Sequence, residues 1–279
     1  MALGRRKREV TTARQVYQRF WARVGERFPD LGGATSTAYY ASNEQRLFTD
    51  YLPPLAGMRI LKTDLWDEAK NTRILAWAAS QGARPYGIDI SEPTLRHART
   101  AFASGEESLR AAVGDVRAIP FADDSFDAVY SMGTIEHFDE TEHAVTEIAR
   151  VLKPGGRAIV GVPNRHDLFL RPLMVSAMYS VGMYGYGLEK SYSRRALREM
   201  LERSGLEVEA ETAILFIPGW LRIADLACHS WCRPLARVTG ALVKPFIWLD
   251  RRVPAVRRHG YLLATVATKP RRDDGNAVI

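Results

Sequence analysis

The segment AAVGDVRAIPFADDSFDAVYSMGTIEHF, Ala111–Phe138, holds two apolar runs separated by an acidic turn. Asp127 opens the second run, and Ala128-Val129-Tyr130 suit a strand covered on both faces of a sheet. Ser131-Met132-Gly133-Thr134 ends it in small residues that let a ligand approach the backbone, so this strand end is a candidate site. Upstream, Gly114-Asp115-Val116 closes the first run, Ala111-Ala112-Val113. Ile119-Pro120-Phe121 then forms an apolar plug before the polar turn Ala122-Asp123-Asp124-Ser125.

Outward from this segment, strands alternate with helices. Met58 to Leu65 reads as the first strand and Glu68 to Gln81 as the first helix, closed by Gly82 at a C-cap position. Pro85 to Ile90 is the second strand, and Ser91 caps the helix that follows, with Pro93 in its first turn. Leu109 to Val113, Asp127 to Met132 and Arg157 to Val162 supply strands three to five, with a helix at Glu140 to Leu152 and a tight turn at Lys153-Pro154-Gly155-Gly156. The alternation predicts an α/β fold, a parallel sheet with helices on both faces. Ser193 to Ser204 reads as a helix ending at Gly205, Leu206 to Phe216 as a sixth strand and Tyr261 to Ala267 as the last. Before the sheet, residues 1–10 read as a basic, poorly ordered tail. Val16, Tyr17, Phe20, Trp21 and Val24 have helical spacing and are expected to cap the core, and a further helix at about 42–52 is halted by Pro53-Pro54.

The run Gly114-Asp115-Val116, Ile119-Pro120-Phe121 and Asp123 to Asp127 resembles the middle of the class I S-adenosylmethionine-dependent methyltransferases. It looks most like the branch containing ubiquinone and menaquinone biosynthesis methyltransferases, with a type 11 methyltransferase domain. The resemblance covers roughly residues 58–162, with weaker support at 193–216 and 261–268. It implies a Rossmann-like, seven-stranded methyltransferase sheet whose last strand is antiparallel, S-adenosyl-L-methionine as cofactor, and methyl transfer to a small or lipid-like acceptor. The organisation it implies is a basic tail and cap helices over 1–57, a core domain over 58–216 and 259–270 with an acceptor-side insertion at 164–190, and an insertion or lid at 217–258.

Ligands of open α/β sheets lie outside the carboxyl ends of the strands, which gathers Asp64, Asp89, Asp115 and Ser131-Met132 around one crevice. Asp89, followed by Ile90 and a helix cap, is placed to accept hydrogen bonds from both hydroxyls of a ribose, with helix capping as the rival role. By the resemblance, Asp115 contacts the adenine amino group and Val116 its ring. The family's glycine-rich turn is missing: Asp64-Leu65-Trp66-Asp67-Glu68-Ala69 keeps an acid and none of the glycines. Asp67 and Glu68 would repel a pyrophosphate, which binds glycine amides at a helix N-terminus. They suit a sulfonium and an ammonium, so Asp64, Trp66 and Glu68 are candidate cofactor contacts. Their rival role is to complement a helix dipole. The lost glycines also leave open a catalytically silent S-adenosylmethionine-binding or scaffold protein of the same fold. Glu136 and His137 follow strand four and are the catalytic candidates. A histidine titrates near neutrality and is suited to deprotonating a phenol or enol, or else it orients the loop.

A chain of 279 residues with 46% hydrophobic residues has room for one large domain. Its two cysteines, Cys228 and Cys232, exclude a disulfide scaffold, and with no signal peptide in view the expected compartment is the reducing cytoplasm. His229 lies between them, but no second ligand pair accompanies them and no metal is expected. No run reaches the ~18 apolar residues of a membrane span. The net charge of +7 is clustered at Arg5 to Arg8, Arg233 to Arg258 and Lys269 to Arg272, without a nucleic-acid-binding motif, which speaks against a nucleic-acid partner. Residues 164–190 and 217–258 are rich in Met, Tyr, Trp and Leu, as a cover over an apolar acceptor would be, with packing on the sheet as extra core the rival role. In the second, Arg233, Arg237, Lys244, Arg251, Arg252, Arg257 and Arg258 stand beside Trp231, Phe246, Ile247 and Trp248, a mix suited to peripheral contact with an anionic membrane surface.

Overall fold

The computed structural model describes residues 2–102, 108–187 and 189–271, with backbone alone for 2–14. Helices α1 (Ala2–Arg27) and α2 (Thr35–Tyr51) precede the sheet. There follow β1 (Arg59–Lys62), α3 (Trp66–Lys70), α4 (Ile74–Ser80), β2 (Arg84–Asp89), α5 (Glu92–Phe102), β3 (Arg110–Val113), β4 (Phe126–Met132), α6 (Thr141–Val151) and β5 (Leu152–Gly161). The chain closes with α7 (Arg171–Ser180), α8 (Arg194–Arg203), β6 (Glu207–Ile214), α9 (Gly219–Trp231), α10 (Arg233–Arg252) and β7 (Leu262–Thr268).

The strands form one seven-stranded sheet in the order β3-β2-β1-β4-β5-β7-β6. β1 to β5 run parallel, and β7 inserts antiparallel to both β5 and β6, as the resemblance implied. Side chains of a strand alternate between faces, and the core divides accordingly. Ile60, Tyr130, Ile159 and Ala264 pack on one face with residues of α2, α4 and α5. Their neighbours Leu61, Val129, Val160 and Leu263 pack on the other with α6 and α8. β1 is flanked by β2 on one side and β4 on the other, so the strand order reverses there and a crevice opens beyond the carboxyl ends of these strands.

Two expectations need correction, and the insertion at 217–258 takes a regular form. The N-terminal segment is helical from Ala2 and continues into the cap, so Arg5 to Arg8 lie on a helix and not on a disordered tail. The single helix expected at 68–81 is two short ones, because Arg73 takes a left-handed conformation (φ 57°) that no helix interior accommodates. Residues 217–258 are regular: they fold as α9 and α10, with Pro234 in the first turn of α10, where its missing N–H costs little. Pro245 lies inside α10 and obscures the helical period in the sequence.

Candidate active site

A cavity of about 240 Å³ opens at the carboxyl ends of β1, β2 and β4. Its floor carries Asp64, Trp66, Asp89, Ile90, Asp115, Val116 and Met132, and its rim Glu136 and His137, so nine of the sequence candidates meet in one space. Met132 gains its place because it lies opposite Gly161 of β5, where a Cβ would sit 2.0 Å from the methionine sulfur. Ser131 and Glu68 are the exceptions. Ser131 alternates to the interior, where its Oγ accepts a hydrogen bond from Thr63 Oγ1 at 2.8 Å. Glu68 is fully buried away from the cavity, and its Oε1 accepts the backbone N–H of Leu75 at 3.0 Å, capping α4.

Asp89 ends β2, buried under the turn that follows β1. Its Oδ2 accepts the N–H of Leu65 at 2.8 Å and its Oδ1 the N–H of Ser91 at 2.7 Å. Burial outweighs these two bonds and pushes its carboxyl up to about 7. Asp115 pairs with Arg117, whose Nη2 donates to Oδ2 at 2.8 Å, and Arg117 in turn lies over the rings of Tyr17 and Phe138.

The turn after β1 is held by charge. Lys62, fully buried as the last residue of β1, donates from Nζ to Asp64 Oδ1 at 3.2 Å and stands 3.8 Å from Asp67 Oδ2. Burial works against its ammonium, but Asp64, Asp67, Glu68 and Glu44 outweigh that and hold it charged. Asp64 Oδ2 also accepts from Thr134 Oγ1 at 2.8 Å, and Asp67 Oδ1 from Asn71 Nδ2 at 2.7 Å. Trp66 packs edge-on against Phe28 and Tyr186, and its indole N–H is buried without a partner.

At the rim, burial and then the charge of Glu189 push the Glu136 carboxyl well above the usual range, and its Oε2 has no hydrogen-bond partner. His137 Nε2 lies 3.9 Å from Glu136 Oε1, and the ring meets Trp21 edge-on at 4.9 Å. The far wall is aromatic and basic: Tyr40, Tyr184, Tyr186 and Tyr261 with Arg171 and Arg222. Arg171 pairs with Glu189 and stacks over Tyr261 at 4.7 Å. Sequence reasoning singled out neither arginine nor Tyr40. It flagged Tyr17 and Trp21 only as helix-cap residues, although both reach the cavity.

Residues 52–160 match a family described as a methyltransferase domain. A ubiquinone biosynthesis O-methyltransferase of Sinorhizobium fredii is 29% identical over 59% of this chain and 66% of its own length. A demethylmenaquinone methyltransferase of Clavibacter sepedonicus is 33% identical over 49% of this chain and 56% of its own. This chain thus spans between about half and two thirds of the length of these two relatives. An S-adenosylmethionine-dependent methyltransferase structure from Mesorhizobium loti superposes with a TM-score of 0.53 at 17% identity, covering 81% of this chain and 97% of that one, a likeness of fold. Residues 52–160 are thus similar to a methyltransferase domain, and the relatives that share this stretch support its resemblance to the class I S-adenosylmethionine-dependent methyltransferases.

Proposed function

We infer that this protein transfers a methyl group from S-adenosylmethionine to an apolar or amphipathic acceptor. The observation that carries the reading is the set of strand-end acids, Asp64, Asp89 and Asp115, on one cavity whose β1 turn offers no glycine amides for phosphate. Such a donor set fits a nucleoside bearing a sulfonium and disfavours a dinucleotide. The buried, unpartnered Trp66 N–H and Glu136 Oε2 are polar atoms that a ligand in this space would satisfy. Asp89 would hold the ribose, Asp115 and Val116 the adenine, and Asp64 and Trp66 the amino-acid end. The bound cofactor supplies a methyl group on a positively charged sulfur.

The chain's own residues shape the rest. Tyr17, Trp21 and Phe138 give the cavity wall an aromatic surface beside His137. Glu136, whose carboxyl burial and the nearby Glu189 raise above its ordinary value, has a buried, unsatisfied Oε2 that would orient an acceptor. His137 is the candidate base for a hydroxyl proton, and in-line positioning supplies much of the remaining rate. Calorimetric titration with S-adenosylmethionine, followed by transfer of labelled methyl to a quinol-type phenol, tests the reading. Tight binding without transfer to any apolar phenol would favour the silent binding protein.

The relatives' names concern quinone biosynthesis, and the cover over this cavity suits such acceptors. On α10, Leu235, Val238 and Leu242 form an exposed apolar stripe at helical spacing, continued by Trp231 at 86% exposure. Arg233, Arg237, Lys244 and Arg251 form a second row about half a turn away. A helix with these two rows suits the plane of an anionic bilayer, and Ile223, partly exposed on the neighbouring α9, is also in the cavity wall. No helix among the described residues is long and apolar enough to cross a membrane.

A further inference from the structure

The first turn of α9 enters the cavity wall with Gly219, and Arg222 follows one turn later, 9% exposed. Its guanidinium lies between two rings, 4.8 Å from the centroid of Tyr40 and 5.8 Å from that of Tyr261. Rings stabilise a guanidinium through its faces and leave its edge donors open. Nη1 is buried and has no hydrogen-bond partner. The acids nearby are engaged elsewhere. Asp225 caps Ser36 N at 2.7 Å and accepts from Thr239, Asp67 accepts from Asn71, and Glu189 is taken by Arg171.

An arginine cannot shed its proton in a protein interior, so a buried, edge-open guanidinium keeps its charge and gains most from an oxyanion that enters beside it. The N-terminal end of the α9 dipole adds to the same positive potential. We propose that Arg222 is the receptor for a carboxylate or similar oxyanion inside this cavity. Two sources have that chemistry: the amino-acid carboxylate of the methyl donor, or an acidic group on the acceptor. The inference rests on the methyl-donor reading only for the first of them.

The test compares wild type, R222M and R222K by calorimetry with three probes: S-adenosylhomocysteine, 5′-methylthioadenosine, which lacks the amino-acid carboxylate, and 1-naphthoate added over saturating S-adenosylhomocysteine. If the donor is the source, R222M weakens S-adenosylhomocysteine at least tenfold, leaves methylthioadenosine within twofold, and R222K recovers part of the loss. If the acceptor is the source, neither nucleoside moves and naphthoate affinity falls at least tenfold in R222M. Equal weakening of both nucleosides, or no change with any probe, overturns the proposal. Wild type that binds neither nucleoside yet loses naphthoate on R222M sinks the methyl-donor reading and leaves Arg222 standing. Circular dichroism of each variant shows that the fold is intact.

Discussion

The carboxylate of Asp89 bridges two turns: from the end of β2, its Oδ2 accepts the backbone N–H of Leu65, 2.8 Å away in the turn after β1. A turn that lacks the family's glycines is therefore pinned by a side chain from the neighbouring strand. The same carboxylate keeps lone pairs for a ribose, since each oxygen accepts only one of these backbone bonds. Asp89→Ala removes charge-assisted hydrogen bonds worth about 1.5–3 kcal/mol each, so affinity for S-adenosylmethionine is expected to fall at least tenfold. Calorimetry giving an unchanged dissociation constant would exclude Asp89 as the ribose partner.

Restoring glycine at positions 66 and 68 is expected to leave cofactor affinity unimproved and to lower stability. Trp66→Gly deletes the ring wedged between Phe28 and Tyr186, and Glu68→Gly strips the cap from Leu75 N. Glycine inside a helix costs about 1 kcal/mol on its own, so the double variant should lose at least about 2 kcal/mol in urea unfolding. A large gain in affinity would show instead that the native turn obstructs the cofactor.

The positions of Asp89 and Asp115 on the cavity are legible in the sequence because Asp89 ends a short apolar strand and Asp115 follows one by two residues, each at a turn. Glu68 is not legible. Its orientation depends on Arg73 breaking the helix, and nothing in the local residues announces a left-handed arginine. Ser131 was misplaced by one step of the strand alternation, which the sequence leaves undecided on a sheet buried on both faces. Arg222 is one of many arginines in a chain of net charge +7. What distinguishes it is a buried Nη1 without a hydrogen-bond partner inside the cavity wall, a property of tertiary packing alone. The 217–258 segment hid its helices behind prolines and tryptophans that blur the helical period.

Burial raises the Glu68 carboxyl to about 7 in the folded protein, against an ordinary value near 4.3 in the unfolded chain. Between these values the folded state binds the extra proton, so this group's contribution to stability is complete below about pH 4 and lost as pH rises through about 7. Glu68→Gln keeps an oxygen for Leu75 N and cannot titrate. The stability of wild type relative to this variant should therefore fall by roughly 3 kcal/mol between pH 4 and 8. Parallel stability-pH curves for the two proteins would place the titration elsewhere.

His137→Ala is expected to leave the affinity for S-adenosylhomocysteine within twofold and to slow transfer to a phenolic acceptor by about 10²-fold or more, the usual contribution of a general base. The loss should shrink at alkaline pH, where the phenol ionises without help. A rate loss equal at every pH would reduce His137 to holding the loop against Trp21 and Glu136.

The acceptor's route to the cavity is checked with vesicles. Four cations on one row of α10 each contribute about 1 kcal/mol near an anionic surface, an attraction that salt weakens. Wild type should sediment with phosphatidylglycerol vesicles at low salt, remain free with phosphatidylcholine, and be released as salt is raised. The apolar row adds a part that salt does not remove, so Leu235→Glu with Leu242→Glu should abolish retention even at low salt while the fold persists, because both side chains are solvent-exposed at 53%. If the double variant is retained like wild type, or wild type is never retained, the exposed stripe has no role at a lipid surface, and a soluble acceptor that enters past Ile223 becomes the better account of the cavity.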